Sequence, residues 1–276
     1  MHTAASSADI GSEILASTAF GPVPGRAAAE LPESVDHRAR WHRAVALAGQ
    51  GRYAAARADL RVLTRASLDP GLASLVESTS GSLLRQLGWH DAASAHDGRA
   101  ARLACAATGV ARAEALADAY TGLAADALGT GRLALATRLL GRVEPLLDEA
   151  PARARVRWHW VRAETAMAGG GFALDDATRA ATVAAGLPSV RHQVKSALLV
   201  AAATAASGDL PAAARLAENI DCECRDHALL PLRWACAMLR SGVAEDPSVA
   251  MTAAREAADH AARIRSFGGD FRPPRR

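Results

Sequence analysis

Aromatic side chains are scarce: five tryptophans, two tyrosines and four phenylalanines make up 4% of the 276 residues. Sheets favour aromatic and β-branched residues, whereas alanine, the largest contributor to the hydrophobic half of this composition, is the best helix former. An all-α chain is predicted. Charge of one sign is also lacking. The net charge is +3, with 15 basic and 16 acidic residues up to Ala150 and 17 against 13 after it, so charge alone does not call for nucleic acid. Lys195 is the only lysine, and the remaining basic residues are arginine. Long apolar runs are missing too. The stretch from Ala197 to Ala206 is too short and too alanine-rich to span a bilayer, and residues 1–24 combine Asp9 and Glu13 with no lysine or arginine and no signal-peptide core. A cytoplasmic chain without a membrane partner is expected. Four cysteines, Cys105, Cys222, Cys224 and Cys236, are too few for a disulfide framework at this length.

What the sequence does have is a repeated phrase, in which a glycine is followed five residues later by an alanine. It occurs as Gly51 with Ala56, Gly88 with Ala93, Gly131 with Ala136 and Gly208 with Ala213. Such a glycine ends a helix in the left-handed conformation, and the alanine lets the next helix lie close against the one just ended. Helical hairpins follow, each about 40 residues long. The first pairs residues 35–50 with 52–65, and the second 72–87 with 90–107. The third pairs 111–128 with 132–144, and the fourth 152–168 with 174–185 across Gly169, Gly170 and Gly171. The fifth pairs 189–207 with 211–220, and the last 226–240 with 247–265. Residues 1–33 are expected as a cap or tether containing a short helix near residues 12–19, residues 34–265 as the repeat array, and residues 266–276 as a disordered basic tail.

Seven residues before each turn glycine stands a small residue: Ala44, Gly81, Ala124, Ala201 and, counting from Gly242, Ala235. Tyr120 and Leu123 add a large aromatic and a leucine in the third unit. In these features the chain resembles the tetratricopeptide repeat (TPR) family, over roughly residues 34–265. Turn glycines at 51, 88, 131, 171 and 208 give units longer than the family's, and Asp176 stands where the fourth unit needs alanine. The resemblance implies a TPR-like α-solenoid of about six antiparallel helical hairpins in a right-handed superhelix, with a concave face that binds a segment of a partner.

The densest polar cluster runs from Arg153 to Arg162. At 3.6 residues per turn, Arg155, His159 and Arg162 share one helix face, while Arg153, Arg157 and Trp160 share the next. Arg191, His192 and Lys195 open the following first helix. Arg155, His159, Arg162, Arg191 and Lys195 are therefore the candidate partner-binding residues, a basic patch suited to a carboxylate, a phosphate or an acidic peptide. The competing explanation is a solvated face whose arginines pair with Glu164 and its neighbours. Cys222 and Cys224 are spaced Cys-x-Cys, which is not a zinc knuckle, and no metal site or cofactor is predicted. No nucleophile has a partnered base in a recognisable motif, and no glycine-rich loop ends in Lys-Ser/Thr. The chain is expected to be a non-catalytic scaffold or adaptor for a protein or peptide, acidic in character. A helical-repeat RNA binder, or the sensory arm of a transcriptional regulator, is the alternative. Asn219 is the only asparagine, which argues against a clamp that holds a peptide backbone by groove asparagines.

Overall fold

The computed structural model describes residues 7–273, with side chains from residue 9 onward. Among the described residues the regular structure is helical, and no helix is long and apolar enough to cross a membrane. In chain order these are α1 (Ser7–Phe20), α2 (His37–Gly49), α3 (Tyr53–Leu63), α4 (Pro70–Arg85), α5 (His90–Ala104), α6 (Gly109–Gly129) and α7 (Leu133–Val143). They are followed by α8 (Ala152–Ala168), α9 (Leu174–Ala185), α10 (Val190–Ala206), α11 (Leu210–Asp226), α12 (Leu230–Val243) and α13 (Pro247–Ser266). Consecutive helices pack on each other. In addition α2, α4, α6, α8 and α10 each touch the next even-numbered helix, forming an inner layer.

Five of the turns share one hydrogen-bond pattern. At the end of α2 the Gly51 N–H donates to the Ala48 carbonyl and the Arg52 N–H to the Leu47 carbonyl, and the same pair of bonds recurs at Gly88, Gly131, Gly170 and Gly208. All five glycines have positive φ, between 71° and 97°, as this cap requires. The fourth turn therefore pivots on Gly170 and not on Gly171. Two residues, Phe172 and Ala173, are inserted before α9, which is why Ala177 and not residue 176 takes the buried contact. Counted from Gly170, the small residue seven back is Ala163, which is fully buried like Ala44, Ala124 and Ala201. Ala56, Ala93, Ala136, Ala177 and Ala213 are fully buried as well.

Gly242 proves to lie inside α12, and Asp246 caps α13 by accepting from the Ser248 N–H at 2.7 Å. The small crossing residues there are Cys236 and Ala237, both fully buried, in place of the half-buried Ala235. Helix α11 also continues past residue 220 to Asp226, so Cys222 and Cys224 lie within a helix, the first exposed and the second in a core cluster with Cys236. The α11–α12 junction repeats the turn chemistry without glycine: Ala228 has φ 52°, and the Leu229 N–H donates to the Cys224 carbonyl at 2.9 Å.

Both ends are tied down. Helix α1 packs on α2, and the chain after it crosses to α10, where the Val190 N–H donates to the Gly21 carbonyl. The Gln50 side-chain amide donates to the carbonyls of Pro24 and Arg26 at 2.9 and 2.7 Å. Of the tail predicted to be disordered, residues 267–272 instead return to the first hairpins, while residues 274–276 lie outside the described residues. Ala54 donates its N–H to the Phe267 carbonyl, Arg57 reaches the Gly268 carbonyl at 2.7 Å, Trp89 Nε1–H donates to the Asp270 carbonyl at 2.7 Å, and the Arg272 N–H donates to the Leu87 carbonyl. Leu230 and Ile264 belong to the same core cluster as Tyr53, Leu60 and Leu83, with Phe267 and Phe271 against it. The last helices thus complete the core begun by the first.

Two predictions follow from these turns and this closure. Ala in the left-handed region is strained by about 1 kcal/mol relative to Gly, so Ala228→Gly should raise unfolding stability by about that amount. Gly208→Ala should lower it by a similar amount, since a methyl there meets no neighbour and the strain is purely backbone. Denaturant titration reads both. Removing residues 267–276 should lower the melting temperature and, by releasing Trp89, Tyr53 and Ile264, enlarge the radius of gyration measured by small-angle scattering; an unchanged radius would show that the closure holds without the tail.

Candidate functional site

The inner helices surround a cavity of about 400 Å³ that receives side chains from α4, α6, α8, α10 and α12 and from the returning tail, and the backbone of α2 at Gly49. This volume lies within the range of small-molecule pockets, and it accommodates about one turn of a helix, whose diameter is about 10–12 Å. Its apolar wall includes Trp160, Val161, Leu232, Trp234, Ile264 and Phe271. Its polar wall includes Arg85, His90, Arg157, Glu164, Arg191 and Lys195. A second space of about 80 Å³ adjoins it, sharing Ser82, Gln86, Arg157, Trp160 and Arg191.

Helix periodicity divides the predicted basic patch. On α8, residues 157, 160, 161 and 164 line the cavity, at spacings of three and four. Arg155, His159 and Arg162 lie on the other side and are committed to local partners. Arg155 bonds the Leu147 carbonyl and the exposed Asp148. His159 Nδ1 and Arg162 Nε both meet Asp176 at the start of α9, at 2.8 and 3.0 Å, and Arg162 lies 4.6 Å from the Trp158 ring centroid. Burial holds the His159 pKa below its ordinary value against the pull of Asp176. Of the five candidates, Arg191 and Lys195 reach the cavity and Arg155, His159 and Arg162 do not.

Most of the interior cations are matched. Arg153 is held by Glu114 and Asp118 at 2.6 and 2.7 Å, and Arg157 shares Asp118. Burial alone would raise the Asp118 carboxyl, but the two guanidinium groups keep it below the usual carboxylate range. Arg85 pairs with Asp126 at 2.8 Å and with Asp97. Asp97 sits where glycines allow it, beside Gly81 and Gly122, and a methyl on either would meet its carboxylate. Burial pushes Asp97 up to about 7, with Arg85 opposing and Asp126 adding to the rise. Lys195 pairs with Glu164 at 3.0 Å and lies 5.7 Å from the Trp160 ring centroid.

Arg191 differs. Among the described residues it has no carboxylate partner; its Nη2 makes one long bond, 3.4 Å, to the Ala19 carbonyl, and its Nε is buried without any acceptor. Its stem passes so close to Gly49 of α2 that a methyl there would lie 2.9 Å from its Cδ. Burial, with Arg157 and Arg153 alongside, pulls its pKa down to about 10. Beside it, the buried His192 accepts or donates at Nδ1 to Ser189 Oγ, 2.7 Å away, and stacks on Trp160 with centroids 5.3 Å apart. Burial and the neighbouring arginines hold its pKa well below 6.5.

Arg85, Arg157, Trp234 and Phe271 were not singled out as binding residues from sequence. Arg157 shares the Trp160 face and was legible by periodicity, whereas Phe271 reaches the cavity only through the chain's return. The cysteines stay apart from it: Cys236 donates its thiol to the Ala217 carbonyl at 2.9 Å, and burial pushes the Cys236 thiol up to about 12. No group of three or more His, Cys, Asp or Glu suited to a metal occurs among the described residues.

Neutral, half-buried or buried histidines impose a pH dependence. Burial first, and Arg38 second, lower the His42 pKa from 6.5 to about 4, so the unfolded chain binds the proton first as pH falls. The His42 contribution is therefore complete above about pH 6.5 and is lost progressively down to about pH 4, at about 1.4 kcal/mol per pH unit. His42→Gln should remove one proton's worth of slope from a plot of unfolding free energy against pH over that window; an unaltered slope would mean that His42 binds its proton equally well in the folded and unfolded chains.

Compared with known protein families and with curated proteins, the chain matches no family model and no curated relative.

Proposed function

We propose that the chain is a non-catalytic interaction module, TPR-like in build, with about six antiparallel hairpins wound as a right-handed superhelix whose inner face receives a segment of a partner protein. The observation that carries this is the convergence of six inner helices on one cavity with both apolar and cationic walls. Each hairpin contributes a strip to a shared surface, which is how helical arrays bind. The partner-binding residues move accordingly, from Arg155, His159 and Arg162, which do not line the cavity, to Arg157, Trp160, Arg191 and Lys195.

A non-catalytic role is supported by the state of the one close nucleophile–imidazole contact among the described residues. Ser189 is the buried residue preceding α10, and His192 lies one turn later; among the described residues no carboxylate pairs with that imidazole. This is a local contact at a helix start rather than an activated hydroxyl. RNA binding has less behind it, because base stacking along a strand needs several accessible aromatic faces, whereas Trp41 and Trp158 are buried, Trp160 and Trp234 face the cavity, and Phe172 alone among the described aromatic side chains is fully exposed.

The reading predicts which surface selects ligands. Peptides enriched from a displayed library on the full chain should lose binding by tenfold or more to Ala235→Phe, which fills the cavity, and should bind Arg155→Glu/Arg162→Glu as well as the parent. Equal binding to the cavity-filled variant would place recognition elsewhere and end this assignment.

A further inference from the structure

The cavity holds a charge that no carboxylate among the described residues balances. Asp118 and Glu114 are taken by Arg153 and Arg157, Asp97 and Asp126 by Arg85, and Glu164 by Lys195. Arg191 is left with a carbonyl at 3.4 Å and a buried Nε that has no acceptor. A guanidinium partly withdrawn from water without a counter-charge is destabilising, and a buried donor without a partner calls for a physical explanation. Its surroundings worsen the cost, since the nearest charges acting on it are Arg157 and Arg153.

Position supplies the explanation. Arg191 stands at the junction of the two interior spaces, on the same wall as Arg157 and one helical turn before Lys195. The larger space is also lined by the rings of Trp234 and Phe271, themselves in contact with centroids 5.0 Å apart. The stem of Arg191 lies against Gly49, and its guanidinium carbon is 5.9 Å from the Phe20 ring centroid. A planar fork held this way is suited to two oxygens of one acidic group.

We infer that the cavity is a site for an organic anion: a carboxylate or phosphate head accepted by Arg191 with Arg157 and Lys195 beside it, and an apolar body set against Trp160, Trp234 and Phe271. The inference rests on the inner cavity being the binding surface and adds the chemistry that surface selects. The same head can belong to a free acid or to the C-terminal carboxylate of a partner peptide.

The experiment uses the full chain and three probes: 8-anilinonaphthalene-1-sulfonate, N-acetyl-phenylalanyl-leucine with a free carboxylate, and the same dipeptide as its amide. Binding is followed by fluorescence and calorimetry. The aromatic sulfonate should bind saturably at one site per chain, and the acid should bind at least tenfold more tightly than the amide. Arg191→Met should weaken both anions at least tenfold, while raising the melting temperature of the unliganded protein because an uncompensated charge has gone. Arg191→Lys, which keeps the charge without the fork, should retain part of the affinity. Equal binding of acid and amide, or unchanged affinity in Arg191→Met, would overturn the anion site and leave the partner-segment assignment standing. Arg191-dependent binding of the sulfonate without the dipeptide acid would keep the anion site and reject the partner segment. If no anion binds at millimolar concentration, the inference is wrong.

Discussion

Contact between helices through side chains of one carbon or none is the constraint from which the rest of the structure derives. Ala56, Ala93, Ala136, Ala177 and Ala213 are fully buried just after the turns, and Ala44, Ala124, Ala163 and Ala201 just before them. Backbones can then approach closely, but alanine removes little apolar area from water, so each contact contributes less hydrophobic free energy than a leucine seam would. Larger apolar side chains are concentrated where the ends meet, around Tyr53, Leu60, Leu63 and Ile264. The fold is thus thin in the middle and sealed at the seam.

Charge makes up part of the difference. Arginines cross from one helix to buried carboxylates on another: Arg40 and Arg43 to Asp59, Arg85 to Asp126, Arg153 and Arg157 to Asp118, and Arg233 to Asp221. Such pairs add little net stability when compared with apolar substitutes, yet they penalise any slip in register, because a displaced partner leaves a charge in low dielectric. Among the described residues Arg191 has no such carboxylate, and like Trp234 and Phe271 it lines the cavity.

How far the sequence could be read depended on the range of the interaction. Helix type and turn position are local, and the glycine at 51, 88, 131 or 208 specified them through its own φ. Gly170 was misplaced by one residue because three consecutive glycines offer three candidates and only the hydrogen bonds choose among them. Ala228 was invisible as a turn, since nothing about alanine announces positive φ. Periodicity groups Arg155, His159 and Arg162 on one face but leaves open that this face meets Asp148 and Asp176 and not the cavity, because 3.6 residues per turn relate side chains to one another and not to the direction of the neighbouring helix. The return of Phe267 and Phe271 to Tyr53 and Trp89 joins residues some 180 to 210 positions apart, as in the Trp89–Asp270 and Arg57–Gly268 bonds, and no local pattern encodes it.

That return has a bearing on how the molecule comes into being. A ribosome delivers α2 to α5 long before it delivers Phe267 and Phe271, so during most of synthesis the first hairpins stand with Tyr53 and the backbone N–H of Ala54 uncovered. Early units can form their own turns as they emerge, but the seam has to wait. The slow event of biogenesis is then the late docking of a few residues onto the oldest part of the chain, and chaperone dependence should be greatest in that interval.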